Sequence, residues 1–158
     1  MTLKIFTATE PARLLLVDDH PMLRRGLANL LSLEKDVQVV AEASHGLEAL
    51  EVLNDQDIDL VILDHNMPVL NGIETLKKIR ELGINTKVLL FTVSDNSKDV
   101  QDALQLSADG ICLKIWSLSK SSQTYARFCV VSWLSAPVWH QFWHKLCVNQ
   151  YKIIAVMN

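Results

Sequence analysis

The stretch Val61-Ile62-Leu63-Asp64, followed by His65-Asn66-Met67-Pro68, constrains this chain most. Three apolar residues run straight into one carboxylate, and the chain then turns. An apolar run without polar alternation suits a strand buried on both faces of a parallel sheet. Asp64 then marks the end of that strand. In open α/β sheets, ligands bind just outside the carboxyl ends of the strands. A lone Asp at such a place usually forms a turn or caps a helix. The rest of the chain points to more.

Four other runs repeat the pattern. Arg13 to Val17 ends in Asp18-Asp19, Val37 to Ala41 reads as a strand, Lys87 to Phe91 ends in Thr92-Val93-Ser94, and Ile111 to Leu113 ends in Lys114. Helical spacing separates them. Leu23, Leu27, Leu30 and Leu31 follow Pro21, which suits a first helical turn. Leu47, Leu50 and Leu53 follow Gly46. Ile73, Leu76 and Ile79 mark a third helix, and Val100, Ala103 and Leu104 a fourth that closes near Ala108-Asp109-Gly110. Alternation of this kind predicts an α/β fold, a parallel sheet with helices on both faces and right-handed crossovers.

Side by side, the strand ends gather Asp18, Asp19, Asp64, Thr92 and Lys114 on one rim of one sheet. Carboxylates this close repel by roughly 4 kcal/mol per pair at about 4 Å and an effective dielectric near 20. The cluster requires protons or a cation. A hard divalent ion such as Mg²⁺ takes oxygen ligands, and one or two carboxylates plus a phosphoryl group suit it. A carboxylate can also act as a nucleophile and become an aspartyl-phosphate. Lys114 supplies a cation and Thr92 a hydroxyl for the transferred group.

Composition sets the bounds. The chain has 158 residues, 49% of them hydrophobic, which excludes a disordered chain. The net charge of -3 gives no general case for nucleic-acid or membrane binding. All 18 acids lie at or before Asp109, against eleven Lys and Arg up to Lys114, so that part is near -7. Beyond Lys114 there are four basic residues, no acid, and all four Trp. Cys112, Cys129 and Cys147 are odd in number and widely spaced, which favours a reducing cytoplasm over a disulfide framework. No secretory signal and no internal repeat are evident. The expected division is a leader over 1–11, the domain over 12–114 and an atypical tail over 115–158.

The chain resembles the receiver domain of two-component response regulators over about residues 12 to 114. The motifs are Val17-Asp18-Asp19-His20-Pro21, Leu63-Asp64 with Met67-Pro68, Asn71-Gly72, Thr92-Val93-Ser94, and Ala108-Asp109-Gly110 before Lys114. Asp-His-Pro-Met-Leu-Arg and Asn-Gly-Ile-Glu-Thr-Leu are similar to the nitrate/nitrite-responsive branch of the NarL/FixJ family. The resemblance implies a doubly wound, flavodoxin-like five-stranded sheet in the order 2-1-3-4-5. It implies that Asp64 accepts phosphoryl from a sensor histidine kinase. Asp19 would ligate Mg²⁺ directly, Asp18 partly through water, and Asn66 by its backbone carbonyl. Thr92 and Lys114 would meet the phosphoryl oxygens. A receiver homodimer is compatible with the family. His65 stands where the branch usually has Leu and reads as a tolerated surface change. Ile111 stands where an aromatic switch residue often sits, and Ile cannot perform an aromatic rotation.

The tail departs from this pattern. A receiver continues to a fifth amphipathic helix, and this branch then adds a helix-turn-helix output domain. Neither is legible after Lys114. Back-translation suggests why. Lys-Ile-Trp-Ser-Leu-Ser-Lys can be encoded as AAA ATA TGG AGC CTG AGC AAA. One G inserted after the first codon gives Lys-Asp-Met-Glu-Pro-Glu-Gln, an acidic helix start with an early Pro. Freedom remains mainly in the first base of each restored codon. Residues from Ile115 onward are therefore read as out-of-frame translation, loosely docked or misfolded, leaving one sheet face exposed.

Other functions fit less well. His140, His144 and Cys147 on one helical face could ligate a metal, but short motifs arise readily by chance. Tyr125 to Trp143 is interrupted by Arg127, Pro137, His140 and Gln141, which argues against a membrane span. A haloacid-type phosphatase needs a second Asp two residues after its nucleophile, absent at both Asp18 and Asp64. No Gly-x-Gly-x-x-Gly follows a strand, so dinucleotide binding ranks lower still. No recognition helix is legible, and direct DNA binding by this chain is not expected. The alternative within the family is a non-signalling remnant that binds Mg²⁺ without transmitting. The coding DNA tests the tail: the restored frame should give a helix and then a helix-turn-helix, and a frame lacking both refutes the frameshift.

Overall fold

The computed structural model describes residues 6–92, 97–118 and 124–133, with the backbone alone for 97, 113–118 and 124–133. Residues 1–5, Val93 and Ser94, the Lys114 side chain, and His140, His144 and Cys147 of the tail lie outside the described residues.

The elements alternate as the apolar runs predict. They are β1 (Ala12–Val17), α1 (Pro21–Leu31), β2 (Val37–Ala43), α2 (Gly46–Asp55), β3 (Leu60–Asp64), α3 (Gly72–Glu81), β4 (Lys87–Thr92), α4 (Ser97–Gln105), β5 (Gly110–Leu118) and β6 (Thr124–Trp133). Five parallel strands stand in the order β2-β1-β3-β4-β5, the flavodoxin-like doubly wound arrangement. β6 adds an antiparallel edge strand beside β5.

The strands of the sheet's centre are buried on both faces, and their residues alternate between two cores. Leu15, Val17, Val61, Leu63, Val88 and Leu90 join one core with Ala49, Leu53, Leu76, Ile79 and Ala103 from α2, α3 and α4. Leu14, Leu16, Leu60, Ile62, Leu89 and Phe91 join the other with Leu31 of α1. Each fully buried Leu, Ile or Val contributes about 1.5–3 kcal/mol relative to an exposed one. This is why the runs lack polar alternation.

Three expectations change. Leu47 and Leu104 fit the helical stripes by spacing, yet both are exposed; Ala49 and Ala103 occupy the buried positions. The tail reads as unpatterned, yet Ile115–Leu118 continues β5 and Thr124–Trp133 forms β6. Aromatic and β-branched residues such as Ile115, Trp116, Tyr125, Phe128, Val130 and Val131 favour strands. Finally, Leu89, Phe91 and Cys112 on the α1 side of the sheet are buried, where loss of a fifth helix suggested exposure.

Asp109 of the Ala-Asp-Gly motif sits at the rim opposite the carboxyl ends of the strands. It accepts from Arg80 Nη2 of α3 (2.9 Å), Lys87 Nζ of β4 (2.9 Å) and the Val88 backbone N–H (2.9 Å). One carboxylate thus ties α3, β4 and the entry to β5 together. Asp109→Ala should cost roughly 1.5–3 kcal/mol by urea unfolding, as for hydrogen bonds to a charged group. Lys77→Ala, which removes the exposed 3.8 Å pair with Glu81, should cost under about 1 kcal/mol.

Candidate functional site

Register brings the polar strand ends to one rim. Val17 pairs with Leu63, which sets Asp18 level with Asp64. Asp64 pairs with Phe91, so Thr92 lies one residue beyond. Thr92 pairs with Leu113, and the Lys114 backbone follows at the same rim. Asp64 is 3% exposed, Asp18 7% and Thr92 1%. Asn66 lies exposed in the loop after β3.

Asp18, Asp19, His20 and Asp64 each offer a ligand atom, all within 4.8 Å of one another. The His20 backbone N–H donates to Asp18 Oδ1 at 2.8 Å. Its ring Nδ1 lies 3.3 Å from that oxygen and 2.8 Å from Asp19 Oδ1. The shorter contact is an ion-pair distance without hydrogen-bond geometry, and Asp19 Oδ1 is buried without a hydrogen-bond partner. A buried carboxylate oxygen with no donor suits a cation. Three carboxylates beside one imidazole form an oxygen-rich donor set, which suits a hard divalent ion. The residues present therefore fit Mg²⁺.

The loop after Asp64 is held by backbone bonds. The His65 N–H donates to the Phe91 carbonyl at 2.7 Å, and the Gly72 N–H to the His65 carbonyl at 3.0 Å. Leu70 N–H donates to the Pro68 carbonyl across Val69, whose φ of 69° is costly for a β-branched residue. Asn71 then caps α3. Its side chain accepts from the Glu74 N–H at 2.9 Å, and Glu74 accepts from the Asn71 N–H at 3.2 Å. Gly72 is required by space: a Cβ there would meet the Asp64 carbonyl oxygen at 2.5 Å and His65 Cα at 2.7 Å. The Asn-Gly pair thus brings a helix against the backbone that carries Asp64.

Beside the rim, Arg24 of α1 donates from Nη1 to the Asp18 carbonyl at 2.6 Å and from Nε to Glu42 Oε2 at 2.8 Å. The Ser44 backbone N–H and hydroxyl bind Glu48 and hold its carboxyl below the ordinary value near 4.5, with smaller help from His45 and Arg24.

His65 is not the surface substitution its loop position suggests. Its side chain is only 14% exposed; Nε2 lies 3.7 Å from Asp99 Oδ2 on α4, and Nδ1 is buried without a partner. Ile111 is fully buried. Sequence reasoning assigned no place in the cluster to His20 and none beside it to Arg24. The signal for both was present, since each stands in the Asp-His-Pro-Met-Leu-Arg motif.

The fold and this acidic rim define a phosphorelay receiver, and the response regulator receiver domain profile matches residues 14–125. The chain belongs to that family, whose members are signalling domains and generally bind Mg²⁺ through an acidic pocket. It is 49% identical over 105 residues to the nitrate/nitrite response regulator protein NarL of Escherichia coli (strain K12), covering 66% of this chain and 49% of that one. It is 42% identical over 104 residues to the protein NarP of the same organism, covering 66% and 48%. The chain thus spans about half the length of these relatives. Among solved structures it resembles the receiver domain of the response regulator NarL from Mycobacterium tuberculosis (37% identity, TM-score 0.61, covering 64% of this chain and 82% of that one). It also resembles the response regulator domain of Thermotoga maritima CheB (25% identity, TM-score 0.63, covering 92% and 97%). Among the described residues, no helix is long and apolar enough to cross a membrane.

Overpacking at Gly72 should be felt at the site. Gly72→Ala should cost about 1–3 kcal/mol by thermal or urea unfolding. It should also shift the backbone amide resonances of Asp64 and His65, whereas Gly26→Ala, with open space around it, should leave those resonances in place.

Proposed function

We propose that this chain is the phosphoacceptor of a two-component relay, modified on Asp64 by a sensor histidine kinase. The gathering of Asp18, Asp19 and Asp64 at one rim carries this reading. An Asp64 carboxylate oxygen attacks phosphorus, the P–N bond of a kinase phosphohistidine breaks with its electron pair going to nitrogen, and the ring, protonated on its other nitrogen beforehand, leaves as neutral imidazole. Asp18 and Asp19, with the Asn66 backbone carbonyl, would hold Mg²⁺. That ion, when bound, neutralises charge on the carboxylates and on the phosphoryl oxygens. The Thr92 hydroxyl donates to one phosphoryl oxygen and the Lys114 ammonium pairs with another. The modification adds about -1.5 to -2 charges at the carboxyl end of β3, enough to reorder a loop.

The working unit is 12–114, with a leader over 1–11. The tail from Ile115 onward is out of frame, in place of the fifth helix of a receiver. The parent would be a cytoplasmic transcription regulator able to pair through its receivers, and this chain alone would not bind DNA. A specific observation favours a second reading: β5 runs on to Leu118 and pairs with β6 where a receiver turns into its fifth helix. On that reading it is a remnant that binds Mg²⁺ but does not fold well or transmit, and absence of an acid-labile adduct, or of its Mg²⁺ dependence, favours it.

A small phosphodonor such as acetyl phosphate tests the first reading. Purified chain should gain one acid-labile phosphoryl group in the presence of Mg²⁺. Asp64→Asn or removal of Mg²⁺ by chelation should reduce incorporation at least about 100-fold. No adduct on the folded wild-type chain refutes the phosphoacceptor.

A further inference from the structure

We propose that Arg24 is a positioning residue for the cation pocket, acting through the peptide that joins Asp18 to Asp19. The role rests on the Mg²⁺ reading of the same acids.

That peptide is the hinge of the acidic pair. If its plane turns, the Asp19 side chain swings relative to Asp18. The preceding peptide is already fixed, because the Asp18 N–H donates to the Ala43 carbonyl of β2 at 3.1 Å. The following carbonyl, that of Asp18, receives Arg24 Nη1 at 2.6 Å. Arg24 Nε meanwhile donates to Glu42 Oε2 at 2.8 Å. One guanidinium from α1 therefore spans β1 and β2, and its side chain is largely buried. Its own backbone is set by the first turn of α1, where the Arg24 N–H meets the His20 carbonyl at 3.0 Å.

Two effects of Arg24 on a cation oppose each other. A fixed positive charge near the pocket weakens cation binding, while orientation of the acids strengthens it. Glu42 pairs with the guanidinium and reduces the first effect. Orientation then dominates, and it needs the planar fork of Arg. Lys carries the same charge but cannot present two donors in that geometry.

The test compares the full-length wild type with Arg24→Met, Arg24→Lys and Glu42→Gln. Mg²⁺ affinity is read by isothermal titration, and urea unfolding in the absence of Mg²⁺ gives the stability of each variant. Arg24→Met and Arg24→Lys should each weaken Mg²⁺ binding roughly tenfold, in the range seen when groups that orient metal ligands are removed. Glu42→Gln keeps an acceptor for Nε but loses the neutralising charge, and should weaken binding about two- to threefold. If Arg24→Lys binds as the wild type does, charge and not the fork is at work, and the proposal is overturned. Loss of stability with unchanged affinity of the folded protein also overturns it. Should Arg24→Met fail to fold, the Lys variant carries the decision. A wild type that takes up no Mg²⁺ is a separate outcome: it refutes the cation pocket itself, and this role with it.

Discussion

Mutual repulsion among three carboxylates is the constraint on which the molecule turns. Asp18, Asp19 and Asp64 are held within ligand distance of one another by strand register, and two of them are almost wholly buried. Side chains free to move would part. Asp18 and Asp64 are kept close because β1 and β3 are locked between two apolar cores and pair residue for residue up to Val17 and Leu63. Burial of the strands thus supplies the force that holds like charges together. A divalent cation held by these acids would offset that repulsion.

The two rims of the sheet treat an aspartate in opposite ways. At one, Asp109 is surrounded by Arg80, Lys87 and a backbone N–H, and it fastens elements together. At the other, Asp19 keeps an oxygen that accepts no hydrogen bond. The chemistry of the residue is the same at both places. The difference lies in the donors that topology delivers, and that difference separates an acid saturated with donors from one whose oxygen accepts no hydrogen bond. The supports of the reactive rim are backbone devices: the capped start of α3, the close approach at Gly72 and the bond from Arg24 to the Asp18 carbonyl.

Much of this could be read from the chain. Apolar runs marked β1, β3, β4 and β5, and the polar residue after each of these marked the rim; β2, with Gln38 and Glu42 in it, showed no such run. What stayed hidden depended on partners distant in sequence. Arg24 and Glu42 are 18 residues apart, and only the β1–β2 register joins them. His65 looked like a loop variant because its neighbour Asp99 lies on α4, beyond another strand. Leu47 satisfied helical spacing, but close packing of α2 against α3, with Gly46 at Thr75, turns smaller residues inward; on α4 it is Ala103 and not Leu104 that is buried. Spacing reports the angle around a helix and not the depth at which its neighbour sits.

The end of the sheet shows the same limit from another side. β4 stops at Thr92, paired with Leu113, and in a regular βα unit β5 would stop beside it. Here Lys114 to Leu118 run on, paired with Tyr125, Ala126, Arg127, Phe128 and Thr124 of β6. A strand ends where the chain offers Gly, Pro, Asn or Asp to turn it. None occurs from Ile111 to Leu118, and Ile115 and Trp116 favour extension. The fifth strand therefore passes the reactive rim without turning back over the sheet. Acids and an early Pro favour a helix start, and none stands from Ile115 to Leu118. Local chemistry at four or five residues after Lys114 thus decides between a helix packed on the sheet and an added edge strand, while the rim that precedes them is built either way.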